Sequence, residues 1–373
     1  MDIINKNKSW KEYLEFKIKP FVLRYFLFLV RFYRTYLSAI KADITTIINY
    51  YILKRKEKPP LDVPISPRAL TIVPTNLCNA SCVFCAYRCL NYEKEIMLFD
   101  TFKKVIDEYK ELGGKKLMLS PTIGEVLVNK DFFKQINYAK ERGFYITIFT
   151  NGILLDINKN YKEIINSGID EIFISTGDIN ASYEAEIFGI SEKLALEKIN
   201  GILKLLRYKE KTKSNIKIII AFRAERSFRK IWQTIQSTKF RHFFDKKYFY
   251  IEFKMAYDNW CGTITENDLL GIMRLKKRPL IRKFPCASLW RLSILANGDV
   301  RLCGCRIKNT EKDDLIIGNI NKEKLTDVIS GENAKRIFSN WENGKIAEVC
   351  LDCSRYYYPR FIKKVQLRDL PLN

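Results

Sequence analysis

Thr75-Asn-Leu-Cys-Asn-Ala-Ser-Cys-Val-Phe-Cys85 follows a strand-like run from Ala69 to Val73. It sets Cys78, Cys82 and Cys85 in a Cys-x3-Cys-x2-Cys loop. Such a loop can wrap three thiolates around one iron–sulfur cube. A [4Fe–4S] cube is ordinarily closed by four cysteines, so three leave one iron open for a substrate or cofactor. A zinc site would need a fourth ligand. Cys89 offers one, and the same residue would also close a cube into an electron carrier. Taken by itself, the loop leaves these alternatives standing.

Downstream, the chain alternates regularly. Strand patterns at Lys116–Ser120, Tyr145–Phe149, Glu171–Ser175, Ile216–Phe222 and Tyr248–Met255 are separated by helical patterns at Phe99–Leu112, Lys130–Arg142, Tyr161–Asn166, Glu192–Arg207 and Phe228–Ser237. Six strands alternating with helices predict a parallel sheet of right-handed crossovers. In such curved sheets functional groups gather at the carboxyl ends of strands. From about Asp258 the alternation stops, and the remainder reads as irregular and cysteine-rich. It holds Cys261, Cys286, Cys303, Cys305, Cys350 and Cys353. Residues 1–57 read as helical, and Pro59, Pro60, Pro64 and Pro67 mark a linker.

Composition narrows the function. The 373 residues are 47% hydrophobic, enough for a large core, and the ten cysteines cluster at metal-ligand spacings. With no cleavable signal pattern at the start, a reducing cytoplasm is expected. The net charge of +23 lacks a compact basic block, so no specific nucleic-acid partner is expected. The apolar run from Phe21 to Leu37 is interrupted by Arg24, Arg31 and Arg34. It reads equally as a helix packed on the domain or one in peripheral membrane contact. With His242 the one histidine, a mechanism needing a histidine pair is excluded and a Ser-His-Asp triad nearly so. Its setting predicts a surface position before the sixth strand.

Further segments recur strand by strand. Ser120-Pro-Thr-Ile-Gly-Glu-Val-Leu-Val128 follows the second strand, and Thr150-Asn-Gly152 the third. Ile174-Ser-Thr-Gly-Asp178 closes the fourth, and Arg223 ends the fifth. Cys286 is followed by eleven residues, Gly298, four residues and Cys303, and later by Cys350-x2-Cys353. Leu292 to Leu302 reads as a hairpin turning at Asn297-Gly298.

Together these segments resemble a radical S-adenosylmethionine (SAM) enzyme with an auxiliary-cluster domain of the SPASM/Twitch type, over roughly residues 68–358. The resemblance implies a partial (β/α)6 TIM-like barrel at 68–257 and a small auxiliary-cluster domain at 258–358. A basic helical extension and linker would precede them at 1–67, with a tail at 359–373. It implies that Cys78, Cys82 and Cys85 hold the cube whose open iron chelates SAM, with Phe84 bordering the adenine. Gly124 and Glu125 would meet the SAM amine, although Ile123 and Val126 replace residues usual in that segment. Thr150 and Asn151 would lie near the cofactor. Ser175 and Asp178 would meet the ribose, and Arg223 the SAM carboxylate.

Cys286, Cys303, Cys350 and Cys353 would close one auxiliary [4Fe–4S] cluster, with Cys305 an alternative ligand and zinc an alternative metal. That gives two cubes per chain. Cys261 is a candidate redox or proton-transfer residue, or a buried small residue. The expected reaction is reductive SAM cleavage and hydrogen abstraction, with electrons from a partner such as flavodoxin or ferredoxin. The substrate would be a small, carbohydrate-like molecule or, alternatively, a ribosomally made peptide. A non-catalytic iron–sulfur electron carrier is the reading from another class.

Overall fold

The computed structural model describes residues 70–356 except Pro121, 279–281, 283–284 and 305–312. The N-terminal extension, with its expected membrane contact, Cys305 and the C-terminal tail lie outside the described residues.

The six expected strands form β1 (Leu70–Ile72), β2 (Lys116–Leu119), β3 (Tyr145–Thr150), β4 (Glu171–Thr176), β5 (Lys217–Arg223) and β6 (Tyr250–Lys254). They pair in parallel in chain order. Between them run α1 (Phe99–Glu111), α2 (Phe132–Glu141), α3 (Asn160–Asn166), α4 (Ala181–Phe188), α5 (Glu192–Thr212), α6 (Phe228–Gln236) and α7 (Phe240–Asp245). Alternation explains the layering. Ile72, Leu119, Ile148, Ile172 and Ile218 stand in register across five strands and are fully buried. Helical faces such as Phe102, Val105, Ile106 and Tyr109 of α1 are fully buried as well. The opposite face of the sheet carries Phe149 and Phe173, which stack at 4.6 Å.

Two helices of this region, α4 and α7, fall in stretches without an expected helix. In α4 the pattern is short and its start is set by a side chain: Asn180 Oδ1 caps the Ser182 and Tyr183 amides. His242 lies in α7 before β6, half exposed as expected, and its Nε2 meets Glu210 at 3.1 Å.

Beyond β6 come β7 (Ala256–Tyr257) and β8 (Arg274–Leu275), a small parallel pair. The expected hairpin is β9 (Leu292–Ile294) and β10 (Asp299–Leu302), turning at Gly298 with φ +88°. Then follow β11 (Ile316–Asn319), α8 (Leu325–Ser330), α9 (Glu332–Glu342) and α10 (Glu348–Leu351). The region read as irregular therefore contains helices. Their apolar positions, among them Leu325, Val328, Ile329, Ile337 and Phe338, are buried against their own surroundings.

The hairpin does not stand apart. β9 runs parallel to β1, pairing Thr71 with Ser293 and Ile72 with Ile294. One nine-stranded sheet results, ordered β11-β10-β9-β1-β2-β3-β4-β5-β6. This satisfies the free edge of β1 and carries the sheet across the position where the alternation ends. Among the described residues, no helix is long and apolar enough to cross a membrane.

Candidate functional site

The cysteine loop leaves the carboxyl end of β1 and is fastened to the end of α4. Ser81 and Val83 donate their amides to the Phe188 and Ile187 carbonyls at 3.0 Å each. The approach is so close that a side chain at Gly189 would sit 2.5 Å from the Ser81 oxygen. Ala80 and Cys82 pack with Ile153, Ile187, Phe188, Tyr257 and Met273. Burial pushes the Cys78 thiol up to about 12, and Cys82 well above its ordinary value. Cys78 feels the charges of Glu125 and Cys85, and Cys82 those of Cys85 and Cys78, so the three sulfurs share one neighbourhood. Cys89 stands exposed at the end of the turn Ala86–Arg88. Thiols that resist ionisation in a buried site are what a metal centre converts to thiolates, releasing protons as it binds.

The strand-end residues gather around this loop. Glu125 is buried, and burial raises its carboxyl. Its Oε1 accepts from the Thr150 hydroxyl at 2.6 Å, and its Oε2 from the Asn151 amide at 2.6 Å. Asn151 Nδ2 then reaches the Asn79 side-chain oxygen at 2.7 Å and lies 3.8 Å from Cys78 Sγ. Glu125 thus ties the ends of β2 and β3 to the cysteine loop. Gly124, at φ +119°, passes so near the chain that a Cβ would lie 2.6 Å from the Thr75 oxygen. No other residue fits that backbone and that space.

Phe84 lies among aromatic neighbours. It stacks on Tyr257 at 5.5 Å and meets Phe188 edge-on at 5.8 Å. The Arg223 guanidinium lies 5.8 Å from its ring. Arg223 Nε and Thr176 Oγ1 are buried without a hydrogen-bond partner, at the ends of adjoining strands β5 and β4. Two such donors beside a cysteine cradle fit a ligand with carboxylate and hydroxyl groups. Asp178 is engaged otherwise. Its Oδ2 takes Arg226 Nε at 2.7 Å, and its Oδ1 accepts the Asn180 amide.

Sequence reasoning missed the charged pair beneath these residues. Lys198 of α5 and Glu184 of α4 are fully buried and ion-paired. Glu184 Oε2 also accepts the Gly177 and Asp178 amides at 2.6 and 2.7 Å, and Lys198 Nζ donates to the Ser175 carbonyl at 2.9 Å. The pair therefore fixes the turn after β4. Lys198 is also within electrostatic reach of Cys82 and Glu125. The available signal was a lysine on the apolar face that includes Ala195, Ile199 and Ile202.

The second cysteine group converges. Cys286, Cys303, Cys350 and Cys353 line one cavity with Leu289, Trp341 and Tyr356, with about 370 Å³ free of protein atoms, part of it continuous with solvent. Burial, and then the charges of Cys303, Cys286 and Cys353, push the Cys350 thiol up. The Ser288 amide lies 3.4 Å from Cys286 Sγ and the Arg355 amide 3.3 Å from Cys353 Sγ, donors that would stabilise bound thiolates. Buried Arg301 bonds the Cys303 carbonyl and pairs with Asp313 at 2.6 Å. Four thiols with such donors fit a closed iron–sulfur cluster.

One segment joins the two cysteine sites. Asn259 receives the Ser354 amide at 3.0 Å, donates to the Asp352 carbonyl at 2.7 Å, and gives its own amide to Ser354 Oγ at 2.9 Å. The next residue, Trp260, donates its indole N–H to the Phe84 carbonyl at 2.9 Å. Cys261 follows, 1% exposed and at φ +58°. Asn259→Ala should remove two of these bonds and lower stability by about 1–3 kcal/mol. The expected result is a lower unfolding midpoint and reduced iron at the second site, measured by melting curves and iron assay.

Comparisons with known proteins bear on this arrangement. The radical SAM superfamily profile matches residues 72–220, and an iron–sulfur cluster-binding domain, SPASM, matches residues 286–354. A sheet with a cysteine loop at its first strand end and four further cysteines round a second cavity defines an iron–sulfur α/β protein. The chain belongs to the radical SAM superfamily as an enzyme with a C-terminal SPASM domain. Membership implies SAM and iron–sulfur clusters as cofactors.

A tungsten-containing aldehyde ferredoxin oxidoreductase cofactor-modifying protein of Pyrococcus furiosus is 30% identical over 36% of this chain and 37% of its own length. A PqqA peptide cyclase of Granulibacter bethesdensis is 31% identical over 34% of this chain and 33% of its own. The chain thus spans about a third of the length of these curated relatives. Streptococcus suis SuiB bound to precursor peptide SuiA matches at TM-score 0.53 and 14% identity, over 84% of this chain and 76% of that one. That likeness concerns the fold.

Proposed function

We propose that the chain cleaves SAM reductively and abstracts hydrogen from a small, carbohydrate-like substrate, using two [4Fe–4S] clusters. The observation carrying this reading is the gathering of Cys78, Cys82, Cys85, Glu125 and Asn151 beside two unpartnered donors, Thr176 Oγ1 and Arg223 Nε. When bound, the cluster and SAM would supply a 5′-deoxyadenosyl radical.

The chain's own residues would do the rest. Cys78, Cys82 and Cys85 would hold one cube, and Cys286, Cys303, Cys350 and Cys353 the auxiliary one. Arg223 would take the SAM carboxylate, with Phe84 and Tyr257 excluding water. Thr176 adds a hydroxyl at the strand end where Ser175 was expected to meet the ribose. Glu125 would orient Asn151 and Thr150 while facing the SAM ammonium. Asp178 would act through the turn it shares with Arg226. Cys261, buried between the cysteine sites, is the candidate proton or electron relay. A closed auxiliary site beside the barrel supports an oxidative outcome, with flavodoxin or ferredoxin as electron donor in a cytoplasmic setting.

A peptide substrate is the second reading, favoured by the PqqA peptide cyclase among the relatives and by the peptide in the SuiB structure. The test is anaerobic incubation of the reconstituted protein with SAM, reductant and deuterated candidates of both kinds. Deuterium entering 5′-deoxyadenosine from a sugar supports the first reading, and from a peptide the second. No 5′-deoxyadenosine at all would leave a non-catalytic electron carrier.

A further inference from the structure

A second cavity opens at the carboxyl ends of β9, β1 and β2, between the segment 90–96 and the β9–β10 hairpin. It offers about 1000 Å³ free of protein atoms, part of it continuous with solvent. Its described lining includes Tyr92, Glu93, Glu95, Thr122, Asp299 and Asp313. Acidic lining is unexpected in a chain of net charge +23.

These acids divide by their partners. Asp313 is paired with Arg301, and Asp299 accepts the Asn297 and Asn319 side-chain amides at 2.9 and 2.8 Å. Among the described residues, neither the Glu93 nor the Glu95 carboxylate is hydrogen-bonded or ion-paired. Their backbone is nevertheless fixed. Thr75 Oγ1 donates to the Glu95 carbonyl at 2.7 Å, Asn76 Oδ1 accepts the Glu95 amide at 2.7 Å, and Asn76 Nδ2 holds the Glu93 carbonyl at 2.7 Å.

The Tyr92 hydroxyl is buried without a hydrogen-bond partner and lies within electrostatic reach of Cys78 and Cys85. The cavity therefore borders the first cysteine loop. Burial, with the charges of Glu93 and Asp299, raises the Glu95 carboxyl, and a bound cation would offset these effects. A metal ion is the poorer occupant, since the engagement of Asp299 and Asp313 leaves two carboxylates here, whereas a hard cation takes six or more oxygen ligands.

We propose that this cavity anchors a protonated amine of the substrate, with Glu93 and Glu95 as its charge partners and the Tyr92 hydroxyl as a hydrogen-bond partner. The inference rests on the proposed function and narrows its substrate to an amine-bearing molecule. The amine could belong to an amino sugar or to a lysine side chain. Anchored at a distance from the reacting carbon, such a group would lend binding energy to positioning.

The test uses the reconstituted full chain with SAM and saturation-transfer NMR. The probes are D-glucosamine and L-lysinamide, each compared with an N-acetylated and an N-trimethylated form. At least one amine should bind, with its neutral acetyl form at least about tenfold weaker. The trimethyl form, which keeps the charge, should be weakened less. Which amine binds tells sugar from peptide. Glu93→Gln with Glu95→Gln should erase the preference, with iron content reporting that the variant has folded. Equal binding of charged and neutral forms, or no binding by either amine, overturns the inference in the wild-type protein alone. Formation of 5′-deoxyadenosine in the same preparation reports on the proposed function separately.

Discussion

Cys78→Ala should abolish formation of 5′-deoxyadenosine while leaving the second cysteine site loaded. The reconstituted wild type is expected to carry about eight irons per chain and the variant about four. The reason is geometric: Cys78, Cys82 and Cys85 share one buried neighbourhood, whereas Cys286, Cys303, Cys350 and Cys353 line another cavity. Cys89→Ala separates the alternatives, because a cube closed by four cysteines would lose iron and one held by three would not. Iron assay and 5′-deoxyadenosine chromatography on both variants decide it. Full activity in Cys78→Ala would refute the assignment.

Lys198→Met should lower stability by about 3–5 kcal/mol, because it strands the Glu184 carboxylate in a dry interior. Both side chains are 0% exposed. Urea unfolding of the two proteins measures the deficit. A deficit below about 1 kcal/mol would mean that Glu184 finds another partner.

The effect should extend to SAM binding. Glu184 holds the Gly177 and Asp178 amides, and Lys198 holds the Ser175 carbonyl. A loosened turn after β4 would move Thr176 and Ser175 together. A weaker SAM affinity in folded Lys198→Met is the expected companion result.

Sequence alone determined the parts whose signal is local. Alternation of period two and helical spacing located the six parallel strands and most crossover helices, because each pattern lies within one element. The spacing from Cys78 to Cys85 and the run from Cys286 through Gly298 to Cys303 were legible for the same reason. Sites at strand ends followed from the parallel topology.

Tertiary structure decided what depends on partners distant in the chain. The pairing of β9 with β1 joins Thr71 to Ser293, a choice made by an open sheet edge and not by either segment's composition. Lys198 reads as one more helix lysine until α4 brings Glu184 against it. No local pattern marks Asn259 and Trp260, yet they fasten the Cys350–Cys353 loop to Phe84. Glu93 and Glu95 carried no motif, and became a candidate amine site only when the β9–β10 hairpin closed a cavity over them. Periodicity records which face of an element is buried. The identity of the group that meets that face is set by packing across the whole fold.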